Sequence, residues 1–501
     1  MNTSSGTQKN LVARALGGHS ALALVISGFL YVLCLSGVIA VFAHEIELWE
    51  QPGVPVVQSV TPDMLEQSAQ EVLAAEPEPT THFTITLPTA ETPRLRIRTD
   101  STAVYVDAEG RLATPRAVPW TSFLLDLHYY LHLPGTLGLT VVALLGVMLL
   151  GLTVTGILAH PRIFRDAFFL RFRRSERLFR TDLHNRLGVW TSPFVIAIAL
   201  TGAMIGLASV VAFTVGQTSF NGDTHAIFDP IFGKDPAPDD EARPLPDMAS
   251  ALNFMKEQFP DVTPTHVLMH HPGTAGQDLK VLAQHPDRLI FGEYYAFDQD
   301  GQFIGRVGLS DGHAGQQIAA SAYTIHFGDY GGLPVKVGYG LLGLGLLVMI
   351  SSGMRVYFLR RRTQGRPLPR AETVWAGAVW GTPAALAMTL LANLLFPTTE
   401  EALVPLFWVT LTANILATSR LTAAVAARAL RLLTAVALVV SVILWYGLHA
   451  DTDYSATAFG VSLVILGAGL GLGLEAFLTL FNRRKRQTAV PGAQETQPQK
   501  L

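Results

Sequence analysis

The sequence predicts an α-helical polytopic membrane protein with a duplicated four-helix core, two extracytoplasmic α+β domains and four extra C-terminal transmembrane helices. Three observations point there. Hydrophobic residues fill 49% of the 501 positions and charged residues only 15%, against about 25% charge in a typical soluble domain. Eight apolar runs have the length that crosses a bilayer, for which about 20 residues suffice. Between the first and fourth runs, one order of features occurs twice: helix, polar α+β segment, helix.

Residues 1–44 hold a polar N-terminus and the first span, from about Ser20 to Ala43. This run exceeds the roughly 7–15 apolar residues of a signal-peptide core, so it reads as a retained helix. Residues 45–127 form the first outer domain. There TPDMLEQSAQEVLAAE is a capped amphipathic helix, RLRIRTD and TAVYVD alternate as strands, and DAEG (Asp107 to Gly110) is a hairpin turn. Residues 128–211 give a second span at 137–159, a basic loop and a third span at 187–211. Residues 212–325 repeat the outer domain: DMASALNFMKEQFP as helix, HVLMHH, DLKVLAQ and EYYAFD as strands, and DQDG (Asp298 to Gly301) as turn. Each outer domain ends in a histidine and a Leu-Pro pair, LHYYLHLPG and IHFGDYGGLPVKVG. Residues 326–370 hold the fourth span, 335–358, and a basic loop. Residues 371–481 are four plain apolar helices at 371–396, 402–418, 430–448 and 457–481, and 482–501 form a tail.

Charge sets the orientation. The 161–186 loop carries Arg162, Arg165, Arg171, Arg173, Arg174, Arg177, Arg180 and Arg186; Arg360 to Arg362 follow the fourth span and RRKR the eighth. By the positive-inside rule these loops are cytoplasmic. Both termini are then cytoplasmic and both α+β domains lie outside. A net charge of −3 gives no reason to expect nucleic acid. The single cysteine, Cys34, leaves no internal disulfide, four-cysteine cluster or usual structural zinc. Metal chemistry falls to histidine and carboxylate.

Histidines cluster where the first four spans begin and end. His19 and His184 each open an apolar run, and each lies 18 residues before the glycine of a Ser-Gly or Thr-Gly pair. The repeat matches His128 with His326 at the other face. A haem held by two histidines needs one imidazole on each side of the ring, and bundles build such sites from facing helices. The expected core is therefore haem-binding, with His19 and His184 on one haem, His128 and His326 on a second, and the layers separated by most of the membrane. His160 has no repeat partner but could replace His19 or face a propionate. His44 and His132 also lack partners. Any one of these histidines alone reads equally well as an interfacial residue or a cation near a helix C-terminus. The matched set favours function. Elsewhere, His266, His270 and His271 with His285 could bind a metal, though strand histidines are more often structural. The arginine-rich loop could dock an acidic soluble donor.

The His19 helix start, LHYYLHLPG, GILAHPRIFRDAFFLR, TDLHNRLGVWTSPF and IHFGDYGG together resemble the PepSY-associated transmembrane family of bacterial iron-regulated inner-membrane proteins. The resemblance covers about residues 11–362. It implies PepSY modules outside, a bacterial inner-membrane location, and b-type haem on His128, His326, His184 and His19 or His160. It also implies an activity like that of the ferric-siderophore reductases. The last four helices depart from the family pattern.

The expected function is a membrane oxidoreductase. It would carry electrons through haem b from a cytoplasmic or membrane donor to a periplasmic ferric chelate, serving iron acquisition. No Gly-rich dinucleotide fingerprint follows a strand, so the donor is a separate molecule. Two alternatives belong to other classes: a non-redox, membrane-anchored PepSY binding or regulatory module, and a transporter for iron or a small metabolite. The scarcity of charge in the spans weighs against the transporter.

Overall fold

The structure is a computed structural model describing residues 3–160, 162, 165, 168, 171 and 175–488, with backbone alone for 3–9 and 481–488. Arg173, Arg174 and the end of the tail lie outside the described residues. Among the described residues, eight helices are long and apolar enough to cross a membrane, which makes this a multi-pass membrane protein. The chain forms two compact units, residues 1–359 and 360–501.

The first unit begins with α1 (Thr3–Ala40) and the short α2 (Ala43–Glu50). α3 (Pro62–Ala75) starts where Thr61 accepts the Met64 N–H at 3.3 Å, with proline in the first turn. Strands β1 (His82–Thr86), β2 (Leu95–Arg98), β3 (Ala103–Val106) and β4 (Leu112–Pro115) follow, then α4 (Pro119–Tyr130) and the spanning α5 (Gly135–Ala159). The second half has α6 (Glu176–Trp190), the spanning α7 (Ser192–Ser219), α8 (His225–Phe232) and α9 (Met248–Gln258). It continues with β5 (Thr263–His270), β6 (Leu279–Gln284), β7 (Glu293–Phe297), β8 (Phe303–Arg306), α10 (Ala314–Phe327) and the spanning α11 (Gly332–Thr363).

The two α+β segments are not separate. Their strands make one antiparallel sheet in the order β4-β3-β2-β1-β5-β6-β7-β8. The halves meet at β1 and β5, where His82 faces His270 and Thr86 faces His266. Joining them removes an open edge from each half. Period-two alternation then sorts the side chains. Phe83, Ile85, Ile97, Val267 and Val281 form the core with Leu65 of α3 and Met255 of α9. His82, Arg96, His266, His270, Lys280 and Tyr294 occupy the alternate, half-buried or exposed positions, apart from the buried Lys280.

Carboxylates tie this sheet to the helices. Glu47 of α2 accepts from Arg116 at 2.9 Å and Tyr105 at 2.5 Å and lies 3.5 Å from Arg96. Glu50 accepts the Trp120 and Thr121 N–H groups at 2.7 and 2.9 Å, which caps α4. Between the spans, small residues allow close approach: a Cβ on Gly206 of α7 would lie 2.8 Å from Ala143 of α5.

The second unit contains α12 (Pro369–Leu395), α13 (Glu400–Thr418), α14 (Ala423–Leu448) and α15 (Ala456–Thr488). α12 packs on α13 and α14, and α14 packs on α15. These helices are less plain than their sequence suggests. α14 begins at Ala423, ahead of the expected 430, so Arg431 lies on its third turn and not at its mouth. Arg431 is buried, pairs with Glu475 and lies 4.7 Å from the centre of the Trp380 ring.

Candidate cofactor site

Four imidazoles meet in two pairs within the first unit. His19 of α1 and His184 of α6 have ring centres 6.3 Å apart at 72°. His128 of α4 and His326 of α10 have centres 6.2 Å apart at 23°. An imidazole nitrogen lies about 2 Å from a first-row metal that it binds, and ring centres this far apart would leave room for one metal atom between the imidazoles of each pair. The pairs occupy different depths: Gly37, beside His128, is 18 residues along α1 from His19, about 27 Å of helix.

Each ring is tied through Nδ1. His19 donates to the Leu152 carbonyl, His184 to that of Met349 and His128 to that of Leu33, each at 3.0 Å. His326 Nδ1 is 3.1 Å from Thr201 Oγ1, whose own hydroxyl donates to the Ala197 carbonyl at 2.7 Å. The Thr201 oxygen is therefore the acceptor. With the proton fixed on Nδ1, Nε2 carries the lone pair in all four rings, the tautomer a metal-ligating histidine adopts.

A glycine lies against the edge of every ring. A Cβ on Gly37 would come 2.6 Å from His128 Cε1, on Gly202 2.7 Å from His326 Cε1, on Gly353 2.8 Å from His184 Cε1, and on Gly156 3.3 Å from His19 Cε1. Each glycine follows a hydroxyl residue, giving Ser36-Gly37, Thr155-Gly156, Thr201-Gly202 and Ser352-Gly353. For three rings the accepting carbonyl lies three residues before that hydroxyl residue. Sequence reasoning found two of these pairs and missed Thr155-Gly156 and Ser352-Gly353. The 18-residue spacing links His19 to Gly37, yet Gly37 serves His128 and His19 rests on Gly156. The signal was available but not clean: each of the first four spans contains a Ser/Thr-Gly pair, and the first also holds Ser27-Gly28, whose glycine meets no ring.

The His128–His326 pair borders a cavity of about 290 Å³ whose wall is largely apolar, with Cys34, Gly206, Phe194, Tyr339 and Gly343 among its residues. The ring set against His184 is that of His19; His160 caps the C-terminal end of α5. His44, on α2, lies near Lys336 and Glu45. His132 has a left-handed backbone, φ 55°, and stacks on Phe123 at 4.8 Å. Among the described residues, no three or more His, Cys, Asp or Glu side chains gather as a metal site. Two of the histidines in and beside the second half-sheet go separate ways: His285 bonds Tyr295 Oη at 3.1 Å and His270 bonds Asp278 at 3.0 Å.

A duplicated bundle of spanning helices with a histidine pair at each of two depths defines a class of multi-pass membrane protein. A profile of the PepSY-associated TM region matches residues 17–361, and the chain belongs to that family. The match includes all four paired histidines and all four Ser/Thr-Gly pairs. The chain is also similar to the uncharacterized protein PA4219 of Pseudomonas aeruginosa, 26% identical over 293 residues, which is 56% of this chain and 74% of that one.

Proposed function

We propose that the protein is a transmembrane electron carrier in which each histidine pair holds one b-type haem, His19 with His184 and His128 with His326. The single observation that carries this reading is the pairing itself: two imidazoles with centres 6.2 to 6.3 Å apart in each pair, with every Nδ1 proton held by a helix acceptor. The residues present fit the group. The donor set is two neutral imidazoles in each pair, the glycines leave room that a side chain would fill, and the His128–His326 pair borders a largely apolar cavity. When bound, haem supplies one-electron chemistry. The protein supplies ligands, orientation and a low-dielectric site.

On this reading the arginine-bearing loops face the cytoplasm of a bacterial inner membrane and the sheet faces the periplasm. The two halves of the sheet are PepSY modules. A cytoplasmic or membrane reductant feeds the His19–His184 side, and a periplasmic ferric chelate accepts electrons beyond the His128–His326 side, as in siderophore-iron acquisition. Reduction loosens iron because hard oxygen donors hold Fe²⁺ less well than Fe³⁺. The test is haem stoichiometry in variants. His128→Ala and His326→Ala should each lose the same one of two haems, and His285→Ala neither. Equal loss from all three variants would refute the pairing.

A further inference from the structure

A second cavity, of about 350 Å³, opens between α8 and the half-buried face of the sheet. Phe228, Asp229 and Phe232 come from α8; His270, Lys280 and Tyr294 come from β5, β6 and β7. Its volume is at the small end of ligand sites.

The other half of the duplication explains why this space exists. Counting back from the matching DAEG and DQDG turns, Arg96 and Lys280 hold equivalent positions: Arg96 pairs with Tyr105 across the ladder, and Lys280 with Ala296. In the first half, Glu47 reaches up from α2 to Arg96 and Arg116 and fills the gap. In the second half, α8 buries none of its residues and Asp229 stays with His225 at 3.5 Å. Lys280 is neutralised instead by Asp278 at 3.0 Å and Asp235 at 3.7 Å. The space beneath the helix is left open.

Two further features face that space. Asp278 accepts from both the backbone N–H of His270, at 2.7 Å, and its Nδ1, at 3.0 Å. Nε2 is 3.7 Å from Asp235, beyond hydrogen-bond distance. His270 is therefore an oriented imidazole with its second nitrogen unspent, and the bond to Asp278 raises its pKa above the ordinary value. Other groups around it are His82 of β1, with ring centres 5.6 Å apart and itself bonded to Asp100, and Lys280, His225 and Asp229 at the cavity. The second feature is a chain of packed rings from the cavity wall to the outer histidine pair. Phe232 and Tyr294 lie 6.2 and 5.9 Å from Phe291, Phe291 lies 5.6 Å from Tyr323, Tyr323 lies 6.1 Å from Phe327, and Phe327 lies 6.0 Å from His326.

We propose that this cavity is where the electron acceptor docks, that the acceptor is a small oxygen-donor ferric chelate, and that His270 protonates the chelator oxygen that leaves the iron. The inference rests on the electron-carrier reading above. One electron reaching the cavity turns Fe³⁺ into Fe²⁺, one iron–oxygen bond breaks, and that oxygen takes the Nε2 proton. Asp278 stays a carboxylate, and solvent returns the proton to His270.

Full-length purified protein tests this with gallium(III) citrate, a redox-inert stand-in for ferric citrate, by equilibrium dialysis. Wild type should bind it. Leu268→Trp, which fills the cavity, should weaken binding by at least about tenfold while the visible spectrum stays unchanged. With ferric citrate as oxidant, the wild-type rate should fall as pH rises through the raised His270 pKa. His270→Asn should still bind gallium citrate, be slower by about tenfold or more at pH 6, and lose that pH dependence. A red protein that does not bind gallium citrate, or an unchanged pH profile in His270→Asn, overturns this proposal alone. A colourless wild type refutes the underlying electron-carrier reading, whatever the gallium result.

Discussion

At the scale of single residues, glycine is the most exacting requirement of the histidine pairs. Gly37→Val would drive a methyl-bearing Cβ into the His128 ring, where even a bare Cβ would lie 2.6 Å away. Loss of one haem of two is expected, read by haemochrome stoichiometry. Gly156→Ala, at 3.3 Å from His19, should retain both haems. Unaltered haem in Gly37→Val would show that the ring has room to move. Glu47 makes a different prediction. Arg116 and Tyr105 hold its carboxyl down at about 2 despite the burial that opposes them. A depressed carboxylate stabilises the fold above its unfolded pKa, near 4.5, and that contribution disappears as pH falls through about 2. Glu47→Gln leaves Arg96 and Arg116 unpaired and should cost about 3 kcal/mol at pH 7. In denaturant titrations the gap between wild type and variant should narrow steadily from pH 5 downward. A gap that is constant with pH would contradict the ion-pair account.

At the scale of elements, the helix that presents His128 is held by its end. Glu50 caps α4, which carries His128. Glu50→Ala should destabilise the region around α4 by about 1 kcal/mol and loosen the haem proposed for His128 and His326 before the other one. Thermal loss of the two haems should separate into two phases, and a single unshifted phase would exclude this role. The elements also show what a sequence can reveal. The spans were legible because run length alone identifies them, and Asp107 to Gly110 and Asp298 to Gly301 were legible because tight turns demand those residues. The union of the half-sheets was not legible. HFTIT pairs with residues 180 to 188 positions away, and nothing in its local pattern names that partner. The short α8 was missed for a different reason: it is only eight residues long and carries Pro230 inside it, which in a sequence reads as a break.

At the scale of the whole molecule, the first unit is a duplication whose two halves cooperate. Each histidine pair takes one ring from each half, as the repeat in the sequence suggested for His128 with His326 and for His19 with His184. The supporting contacts were hidden because each histidine rests on a glycine of another helix, at no fixed distance along the chain. In the second unit, the Arg431–Glu475 pair was overlooked because the expected helix began too late. The most direct measurement of the central claim is the absorption spectrum of the purified full-length protein from haem-replete cells, with haem quantified per chain. The account expects a red protein carrying two b-type haems, with a Soret band that shifts on adding dithionite. A folded, colourless protein, whose histidine pairs bind no haem even when it is supplied, would contradict it.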